Sequence, residues 1–523
     1  MTDRLPEVPD RLDELLTRAA AAHPSRRAVV TDDFEMDYAG FDARVTAVAA
    51  GLQALAPEPS VVAVGTVLHP DTAVAYYAAV RAGHTVAVVN PLLREDDLLH
   101  VLGLGGACVA LLDPELNARL EQVRDRLPAL REVVLIGAGT DGLDRLASPA
   151  PLVPVARGAG DVAALQFTSG TTGRPKAVRL SHRNVTVNAA QIAVAHRLDG
   201  ATVTLNHLPT YHPMHLNSAI AAGATQVLCP APEPYAAVAA ADRHRATILY
   251  SLPVRLARLA AAPAPDSVSM TSVRRIASGG SALPAQAARR LSERFGVPVF
   301  QGYGLAETSP LTHSDDPDRP VHGSVGTPVA GTECRVVDID SRSVLAPGGV
   351  GEVQLRGPQV MLGYAGGPDG TGVEPDGWLS TGDVGRLDED GRLFLVDRLK
   401  DVFKCDNFLV APSDVERVLR RDPRVADVVV VELADAGHGA VAGALVVLAD
   451  SGSGTPTGTR PDTPAGTPRD DLADVVARAN DALPYYQHVR DAMTLDAIPR
   501  SGNGKVQRRL LAQLLAERRP VAG

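Results

Sequence analysis

The sequence predicts an α/β fold: a large N-terminal domain ending in a small β-rich part, followed by a separate α+β domain. Three observations support this prediction. Helical and strand-like patterns alternate from residue 11 to about 320, strand patterns with turn residues fill 323–396, and helices and strands resume after Asp397. Alternation of this length is typical of parallel sheets that are covered by helices.

The alternating part contains amphipathic helices and short apolar strands in turn. LDELLTRAAAAH (12–23) and FDARVTAVAAGLQAL (41–55) carry apolar residues at helical spacing. VVAVGTV (61–67) and HTVAVV (84–89) are β-rich runs, and later strand candidates are ATQVLC, ATILYSL and RRIASGG. These segments predict helix-flanked sheets within an N-terminal domain that spans 1–396.

The pattern changes at about residue 323, where Gly, Pro and Asp turns separate strands and helical patterns become few. The strand candidates are GSVGTPV, TECRVVDID, GEVQLRG and GRLFLVD. Short strands between turn residues favour a small antiparallel β-barrel or sheet over 323–396.

The chain after Asp397 predicts a smaller α+β domain, residues 401–523. PSDVERVLRRDP and DDLADVVARANDAL are typical of helices, and VADVVVVEL and AVAGALVVL of strands. Within it, residues 451–468 have almost no apolar content. Such a segment buries too little surface to fold, so we expect a flexible surface loop, with a docking tail as the alternative.

Composition narrows the classes of function. The 523 residues are 45% hydrophobic and 21% charged, and the net charge of −10 disfavours general binding to nucleic acid or anionic lipid. No apolar run approaches the roughly 18 residues of a membrane span. The four cysteines are far apart and lack paired spacing. A reducing, cytoplasmic location is therefore expected.

Lysine is rare in this chain. Only Lys176, Lys400, Lys404 and Lys505 are lysines, although Lys and Arg together number 51. Lysine is a compact ammonium on a flexible stem, whereas arginine is a rigid planar fork. All four lysines lie in short segments that suggest chemistry for other reasons, so we interpret their positions as functional rather than as a drift of composition.

The segment FTSGTTGRPK, residues 167–176, has the composition of a phosphate-binding loop. Two glycines allow close approach of the backbone to phosphate, hydroxyl groups add donors, and Lys176 can neutralise a phosphate oxygen. The spacing is not that of a Walker A loop. The alternative interpretation is a flexible polar turn.

The histidines His207, His212 and His215 form a cluster in NHLPTYHPMHLN. Their spacing could imitate a metal site, but no cysteine or carboxylate ligand accompanies them. A metal at this cluster is therefore disfavoured.

Further motifs follow the glycine-rich segment in order. They are SGGSALP (278–284), QGYGLAETSP (301–310), GEVQLRGPQVMLGY (351–364), WLSTGD (378–383), DRLKD (397–401) and PRSGNGK (499–505). Together with TSGTTGRPK they resemble the core motifs of the adenylate-forming superfamily, above all its acyl- and aryl-CoA ligases. The superfamily also contains nonribosomal adenylation domains and beetle luciferases, and the resemblance covers about residues 15 to 515.

The resemblance implies a two-step reaction with ATP, Mg²⁺ and coenzyme A. A carboxylate attacks the α-phosphate of ATP, and a thiol then displaces AMP from the acyl adenylate. Catalytic roles are implied for Lys505, Thr308, Glu307 and His212, with Glu307 as the Mg²⁺ ligand. The implied ATP- and AMP-binding residues are Thr168, Ser169, Gly170, Thr171, Thr172, Gly173, Lys176, Ser278, Gly279, Gly280, Tyr303, Thr308, Asp383 and Arg398.

The resemblance also implies a mobile C-terminal lid domain. Residues 397–400 would be the hinge, with Lys400 at the hinge position. Rotation about this segment would withdraw Lys505 after the first step and bring 402–410 to the acyl carbonyl for the second. A hinge needs only a few residues that absorb a change of backbone angles.

The loop VFKCDNFLV, residues 402–410, departs from its relatives. Glycine is usual at the position of Asn407, and Asp406 adds a negative charge near an anionic cofactor. Lys404 either offsets that charge or is a surface residue. Asn tolerates a left-handed backbone better than most residues, but it adds bulk on the CoA side.

The predicted acyl pocket contains His212, His215, Ser281 and Gly304. Acyl-CoA ligases typically have an aromatic-His-x-x-Gly pattern; His212 keeps its histidine and His215 replaces its glycine. No aspartate is available there to bind an amino-acid ammonium. A hydrophobic or aromatic acid without an amino group is therefore the expected substrate.

The sequence thus predicts an AMP-forming acid–CoA ligase. One alternative is an enzyme specialised for one half-reaction, which either passes acyl-AMP to a carrier protein or partner enzyme or converts acyl-AMP made elsewhere. Another alternative is a noncatalytic nucleotide-binding relative. The presence of Lys505, Glu307 and Asp383 disfavours the noncatalytic alternative.

Overall fold

The computed structural model describes residues 7–138, 142–168, 175–263, 270–366, 372–406, 408–435, 437–449, 468–500 and 506–517. The helices are α1 (Glu14–Ala22), α2 (Tyr38–Leu55), α3 (Pro70–Arg81), α4 (Glu95–Gly105), α5 (Pro114–Glu121), α6 (His182–Ala195), α7 (Pro213–Ala221), α8 (Pro234–Arg243), α9 (Pro253–Ala261), α10 (Ala285–Phe295), α11 (Pro412–Leu419), α12 (Pro468–Asp481) and α13 (Arg508–Ala516).

The strands up to the end of the alternating part are β1 (Arg27–Val30), β2 (Glu35–Asp37), β3 (Val61–Gly65), β4 (Thr85–Val89), β5 (Ala107–Leu112), β6 (Glu132–Leu135), β7 (Val162–Thr168), β8 (Lys176–Ser181), β9 (Val203–His207), β10 (Thr225–Leu228), β11 (Ile248–Ser251), β12 (Arg275–Ser278), β13 (Val299–Gly304) and β14 (Leu311–Ser314). The later strands are β15 (Thr327–Pro328), β16 (Glu333–Val337), β17 (Gly351–Arg356), β18 (Gly363–Tyr364), β19 (Leu379–Leu387), β20 (Leu393–Arg398), β21 (Phe403–Cys405), β22 (Phe408–Val410), β23 (Val425–Asp435), β24 (Gly439–Leu448) and β25 (Val489–Thr494).

A seven-stranded sheet has the order β18-β8-β7-β4-β3-β5-β6. Its centre is parallel, because β4 pairs in parallel with both β3 and β7. Strand β8 runs antiparallel to β7, and the two residues of β18 then pair with β8. The fully buried β5 explains why these strands are apolar runs rather than alternating patterns.

A nine-stranded sheet has the order β15-β14-β13-β12-β11-β9-β10-β1-β2. Strands β9, β11, β12 and β13 are parallel neighbours. Their register places His207, Ser251 and Ser278 beside one another at the carboxyl ends of β9, β11 and β12. In open parallel sheets, ligands bind at this edge. The α/β prediction for the alternating part is therefore confirmed.

Large aromatic side chains fill the core beside the seven-stranded sheet, and their hydroxyl groups are hydrogen-bonded. Tyr38 donates to the carbonyl oxygen of Ala224 at 2.7 Å, and Tyr77 donates to Asn217 Oδ1 at 2.8 Å. Burial without such partners would cost free energy. These two tyrosines therefore bring hydroxyl groups into the core, and each of the two hydroxyls has a hydrogen-bond partner.

The region predicted as a small barrel or sheet contains a four-stranded sheet, ordered β16-β17-β19-β20. The chain divides into two compact units, and the boundary passes through this sheet. The second unit consists of 336–353, 382–386 and 395–523, and the first contains the remaining residues. The boundaries predicted from sequence, 1–396, 397–400 and 401–523, remain predictions.

The second unit has its own sheet and core. Strands β22, β21, β24 and β23 are adjacent in that order, and β25 pairs in parallel with β24. Buried side chains of β23, β24, α11 and α13 form one hydrophobic cluster. The separate α+β domain is therefore confirmed. The predicted flexible loop 451–468 lies outside the described residues except for Pro468, at which α12 begins.

None of the described helices combines the length and the apolar composition that crossing a membrane requires.

Candidate active site

The carboxyl edge of the nine-stranded sheet holds the predicted adenine-binding residues. Ser278 ends β12 with a buried hydroxyl oxygen that has no hydrogen-bond partner among the described residues. A Cβ on Gly279 would meet no heavy atom within 4 Å, and Gly280 has a φ of +89°. An unpartnered buried donor beside open space fits a polar planar ligand such as a nucleobase. Ser281, predicted for the acyl pocket, follows and is exposed.

Tyr303 lies near the end of β13, two residues after Gln301, which pairs with Ser278 on the neighbouring strand. It is 7% exposed, and its ring centroid is 5.9 Å from that of His313. A register shift in the β13–β14 pair follows Tyr303, at Gly304. A Cβ on Gly304 would lie 2.0 Å from the carbonyl oxygen of Pro310, so only glycine fits there without a backbone shift.

Tyr364 connects the predicted phosphate-binding lysine to the predicted metal-binding carboxylate. Its hydroxyl donates to Glu307 Oε1 at 2.8 Å, and Lys176 Nζ lies 5.0 Å from the centre of its ring. Burial and the carboxylate of Glu307 raise the pKa of Tyr364, so its hydroxyl remains a donor. Motif order in the sequence did not single out this residue, although it ends GEVQLRGPQVMLGY.

Thr308 is fully buried and closes the 3-10 turn Ala306–Thr308. Its hydroxyl donates to the carbonyl oxygens of Leu305 at 3.0 Å and Pro310 at 2.5 Å. In this arrangement the hydroxyl is occupied by the backbone. The predicted contact of Thr308 with the α-phosphate remains a prediction that requires this hydroxyl to turn.

The glycine-rich segment is described only at its two ends. Thr168 ends β7 and lies opposite Lys176 at the start of β8, in the antiparallel register. Lys176 is exposed. The intervening predicted residues, Ser169, Gly170, Thr171, Thr172 and Gly173, lie outside the described residues.

His212 and His215 are neutral imidazoles at the start of α7. Dense packing lowers the pKa of His212 to about 4, although part of the side chain remains accessible. Its Nδ1 accepts from the backbone N–H of Met214 at 3.1 Å, so the ring proton is on Nε2. Burial lowers the pKa of His215 well below its ordinary value, and its ring lies 4.5 Å from that of Tyr250. These two side chains offer the predicted acyl pocket hydrogen-bonding groups without positive charge.

His207 does not join the other two histidines. Its Nδ1 contacts Ser251 Oγ at 3.0 Å and its Nε2 contacts the carbonyl oxygen of Ala231 at 2.9 Å. Within the described residues, His207, His212 and His215 do not form a group that could hold a metal.

The second compact unit contains the predicted ribose-binding pair. Arg398 Nε lies 2.7 Å from Asp383 Oδ1, and Asp383 is buried whereas Arg398 is half exposed. The backbone N–H of Leu399 donates to the carbonyl oxygen of Gly382 at 2.8 Å, which fixes the segment that follows Arg398. The pair presents an accepting carboxylate and a donating guanidinium at one point, and the hydroxyl groups of a sugar can form hydrogen bonds with both. Lys400, the predicted hinge residue, is exposed in the next turn.

Lys404 forms a surface ion pair in the same unit. Its Nζ lies 2.7 Å from Asp340 Oδ2, and both side chains are largely exposed. Exposed pairs of this kind contribute little to stability. Asn407 and Lys505 lie outside the described residues, so their predicted CoA-side and catalytic roles remain predictions.

The first unit thus brings an exposed lysine and a carboxylate to one tyrosine ring, and it leaves a buried hydroxyl beside open space at the sheet edge. These features are compatible with the predicted class of enzymes that activate a substrate with a nucleotide. Comparison with known proteins identifies the class more closely. The family model described as "AMP-binding enzyme" matches residues 16–365, and "AMP-binding enzyme C-terminal domain" matches 414–505.

Related proteins match nearly the whole chain. The 4-coumarate–CoA ligase-like 6 of Oryza sativa subsp. japonica is 33% identical over an alignment of 520 positions, which covers 92% of this chain and 82% of that protein. The feruloyl-CoA synthase of Amycolatopsis sp is 31% identical over 498 residues, 94% of this chain and 96% of its own length. The ATP-bound crystal structure of MatB from Rhodopseudomonas palustris superimposes with a TM-score of 0.85 at 26% identity, covering 97% of this chain and 99% of that one.

The chain belongs to the adenylate-forming AMP-binding enzymes, among the acyl- and aryl-CoA ligases. It is an acid–thiol ligase that works through an acyl adenylate and uses ATP and CoA. The family membership predicted from the ordered motifs is confirmed.

Replacing Tyr364 with phenylalanine is expected to slow acyl-adenylate formation about 10- to 100-fold, because a hydrogen bond to a charged group contributes roughly 1.5–3 kcal/mol. The ring stays over Lys176, but Glu307 loses a donor that fixes its orientation. Acid-dependent pyrophosphate release measures the effect. Tyr235→Phe is the matched control, since Tyr235 donates to the carbonyl oxygen of Ala262 at 3.3 Å. Equal rates for Tyr364→Phe and the wild type would contradict this role.

Proposed function

We propose that the protein activates a hydrophobic or aromatic carboxylic acid without an amino group and transfers it to CoA. The observation that carries the proposal is the contact of one aromatic residue, Tyr364, with both Lys176 and Glu307. A cation and a carboxylate held at one point suit a nucleotide triphosphate with its metal ion. The resemblance to 4-coumarate–CoA ligase-like 6 and feruloyl-CoA synthase supports an aromatic acid.

Glu307 is the residue that would hold Mg²⁺. Its Oε1 accepts from Tyr364, and the side chain is only half-buried, so the carboxylate is oriented yet accessible. Mg²⁺ usually binds one or two carboxylates together with substrate phosphates and waters, so a single oriented carboxylate fits. When bound, the ion would neutralise charge on the phosphates.

In the first step, a carboxylate oxygen of the acid attacks the α-phosphorus of ATP and the bond to pyrophosphate breaks. Both reactants are anionic, so the barrier is largely electrostatic and cations must converge on it. We assign Lys176 to the phosphates, Lys505 to the reacting oxygens, and Asp383 with Arg398 to the ribose. Ser278, Gly279 and Gly280 line the base, and Tyr303 stacks on it.

In the second step, the CoA thiol displaces AMP. We infer that the unit containing 395–523 changes its orientation between the steps, with 397–400 as the hinge. Lys400 is exposed, so its ammonium can stay hydrated in either state. The segment 402–410 would then act on the CoA side.

The acyl pocket should select a neutral acid body. His212 and His215 are uncharged near neutral pH, since burial lowers both pKa values. A neutral Nε2–H on His212 can donate to an acyl oxygen, and the Tyr250 ring beside His215 favours an aromatic or apolar neighbour. An amino-acid ammonium would find no carboxylate partner at the position of His212.

A panel of benzoic, cinnamic, phenylacetic and aliphatic acids tests the proposal. Each acid is incubated with ATP and Mg²⁺, and pyrophosphate release is measured; AMP release and thioester are measured after addition of CoA. An aromatic acid should give both signals. Pyrophosphate without a CoA effect would favour acyl transfer to a carrier protein instead. Conversion of synthetic acyl-AMP alone would favour the second half-reaction only.

We further infer a cytoplasmic location. The four cysteines are free thiols, which suits a reducing compartment, and ATP and CoA are the co-substrates of the reaction.

A further inference from the structure

Two turns of the second unit face each other, and the first of them belongs to the predicted CoA-side loop 402–410. The first turn connects β21 to β22, where Cys405 lies opposite Phe408. The second connects β23 to β24, where Asp435 lies opposite Gly439. Strand β21 also pairs with β24, through Cys405 and Gly439. That pairing brings Asp406 and His438 together across 32 positions of the chain.

His438 and Asp406 form an oriented imidazole–carboxylate pair. His438 Nδ1 lies 3.0 Å from Oδ1 and 2.9 Å from Oδ2 of Asp406. The backbone N–H of Asp406 also donates to the carbonyl oxygen of His438, at 3.1 Å, and Asp406 has a left-handed φ of +49°. The carboxylate fixes the ring proton on Nδ1, so Nε2 is left as a proton acceptor. This is the geometry of a general base and the group that orients it.

The CoA half-reaction requires such a base. The nucleophile is the thiolate, but an unperturbed thiol has a pKa of about 8.5 and is mostly protonated at pH 7. A histidine whose ordinary pKa is about 6.5 can accept that proton near neutral pH. His438 and Asp406 are partly accessible, with 37% and 31% of their side chains exposed. A substrate can therefore reach the pair.

We propose that His438 is the general base that deprotonates the CoA thiol and that Asp406 is its positioning residue. The inference rests on the proposed CoA ligation. It also explains the negative charge of Asp406, which the sequence analysis expected near an anionic cofactor. That charge is paired with the imidazole of His438.

The step balances as an ordinary acyl transfer. The thiol proton passes to His438 Nε2 while the sulfur attacks the carbonyl carbon of the acyl adenylate. The bond between that carbon and the phosphate oxygen breaks, and AMP leaves with the electron pair on its phosphate. His438 then releases the proton to water, so the products are the thioester, AMP and one proton.

Other ionisable groups around the pair are Asp435, Cys405 and Arg490. Asp435 Oδ1 accepts from the backbone N–H of His438 at 3.0 Å and so shapes its turn. The Cys405 sulfur belongs to the hydrophobic core, at 2% exposure, and burial raises its pKa. The charge of Arg490 lowers the pKa of Cys405, whereas the charge of Asp406 raises it. The buried, protonated thiol of Cys405 therefore contributes to packing, and the accessible reactive group is the imidazole of His438.

The test measures thioester formation from supplied acyl-AMP and CoA between pH 6 and 9.5. His438→Gln and Asp406→Asn should slow this step at pH 7, the former by about 10- to 100-fold, because a few per cent of a thiol is already thiolate at that pH without a base. The deficit should shrink towards pH 9, where CoA supplies its own thiolate. Added imidazole should restore part of the rate of His438→Ala. Pyrophosphate release in the first step should be unchanged, which also shows that the variants fold; exposed His322→Gln is the matched control.

Four results would overturn the proposal. A deficit of equal size at every pH would indicate a structural role, and wild-type rates in all three variants would indicate none. Stoichiometric bound zinc, with loss of the thiol step after chelation, would make Cys405, Asp406 and His438 a metal site, since their donor atoms lie within 4.8 Å of one another. If wild-type protein converts acyl-AMP no faster with CoA than without it, CoA ligation itself is wrong and the base falls with it.

Discussion

Lys505→Arg is expected to slow acyl-adenylate formation at least 100-fold and to leave thioester formation from supplied acyl-AMP close to the wild-type rate. The substitution keeps the positive charge, so the loss tests geometry rather than charge. Arginine presents a rigid planar fork, whereas the lysine ammonium can follow an oxygen whose charge shifts during the reaction. Loss of one transition-state donor typically costs 10²–10³ in rate. Pyrophosphate release and AMP release measure the two steps separately.

Arg509→Lys is a suitable control for this experiment. Arg509 is exposed on α13, shortly after Lys505 in the chain. Its replacement by lysine exchanges the same two residue types in the opposite direction. Both half-reactions should be unaffected by it. Equal loss of the two half-reactions in Lys505→Arg would show that the lysine does not act on the first step alone, and the alternation of the C-terminal domain would then lose its support.

Gly304→Ala is expected to abolish adenylation and to lower the thermal unfolding midpoint. The new Cβ would lie 2.0 Å from the carbonyl oxygen of Pro310 and 3.0 Å from Leu311 Cα. These are backbone atoms, so strands β13 and β14 must move apart rather than a side chain turn aside. Overpacking of this kind costs about 1–3 kcal/mol or more. Tyr303 and Thr308 flank the position, and a shift of about 1 Å at such residues can cost 100-fold in rate.

Gly279→Ala separates the steric effect from any general intolerance of glycine replacement. Its Cβ would meet no heavy atom within 4 Å, so the unfolding midpoint should stay at the wild-type value. The methyl group would point into space assigned to the adenine, so the KM for ATP should rise. A wild-type unfolding midpoint in Gly304→Ala, measured beside this control, would contradict the predicted clash.

Long apolar strands and ordered motifs were predictable from the sequence because each is a local property. VVAVGTV contains β3, and HTVAVV contains β4, because strands buried on both faces read as continuous apolar runs. The family was recognisable from motif order alone. The identities of the residues at the carboxyl edge, such as Ser278 and Tyr303, came from the same motifs.

Contacts that depend on long-range pairing were not predictable. Tyr364 reaches Glu307 and Lys176 because the two-residue strand β18 pairs with β8, and two residues are too short to show an alternating pattern. The approach of His438 to Asp406 depends on the β21–β24 pairing. Neither pairing leaves a periodic pattern in the sequence. Reactive residue types could therefore be identified from the sequence, but the residues that they contact could not.

The second compact unit is built from separate segments of the chain, and this affects how C-terminal domains can be exchanged between related ligases. A cut at Asp397 looks natural in the sequence, but three contacts join the later residues to earlier segments of the same unit: Arg398 to Asp383, Leu399 to Gly382, and Lys404 to Asp340. A chimera spliced at that point would inherit half of each contact from each parent. Transplanting 336–353 and 382–386 together with 395–523 would keep both partners of each contact from one parent, so the transferable module is discontinuous in the chain.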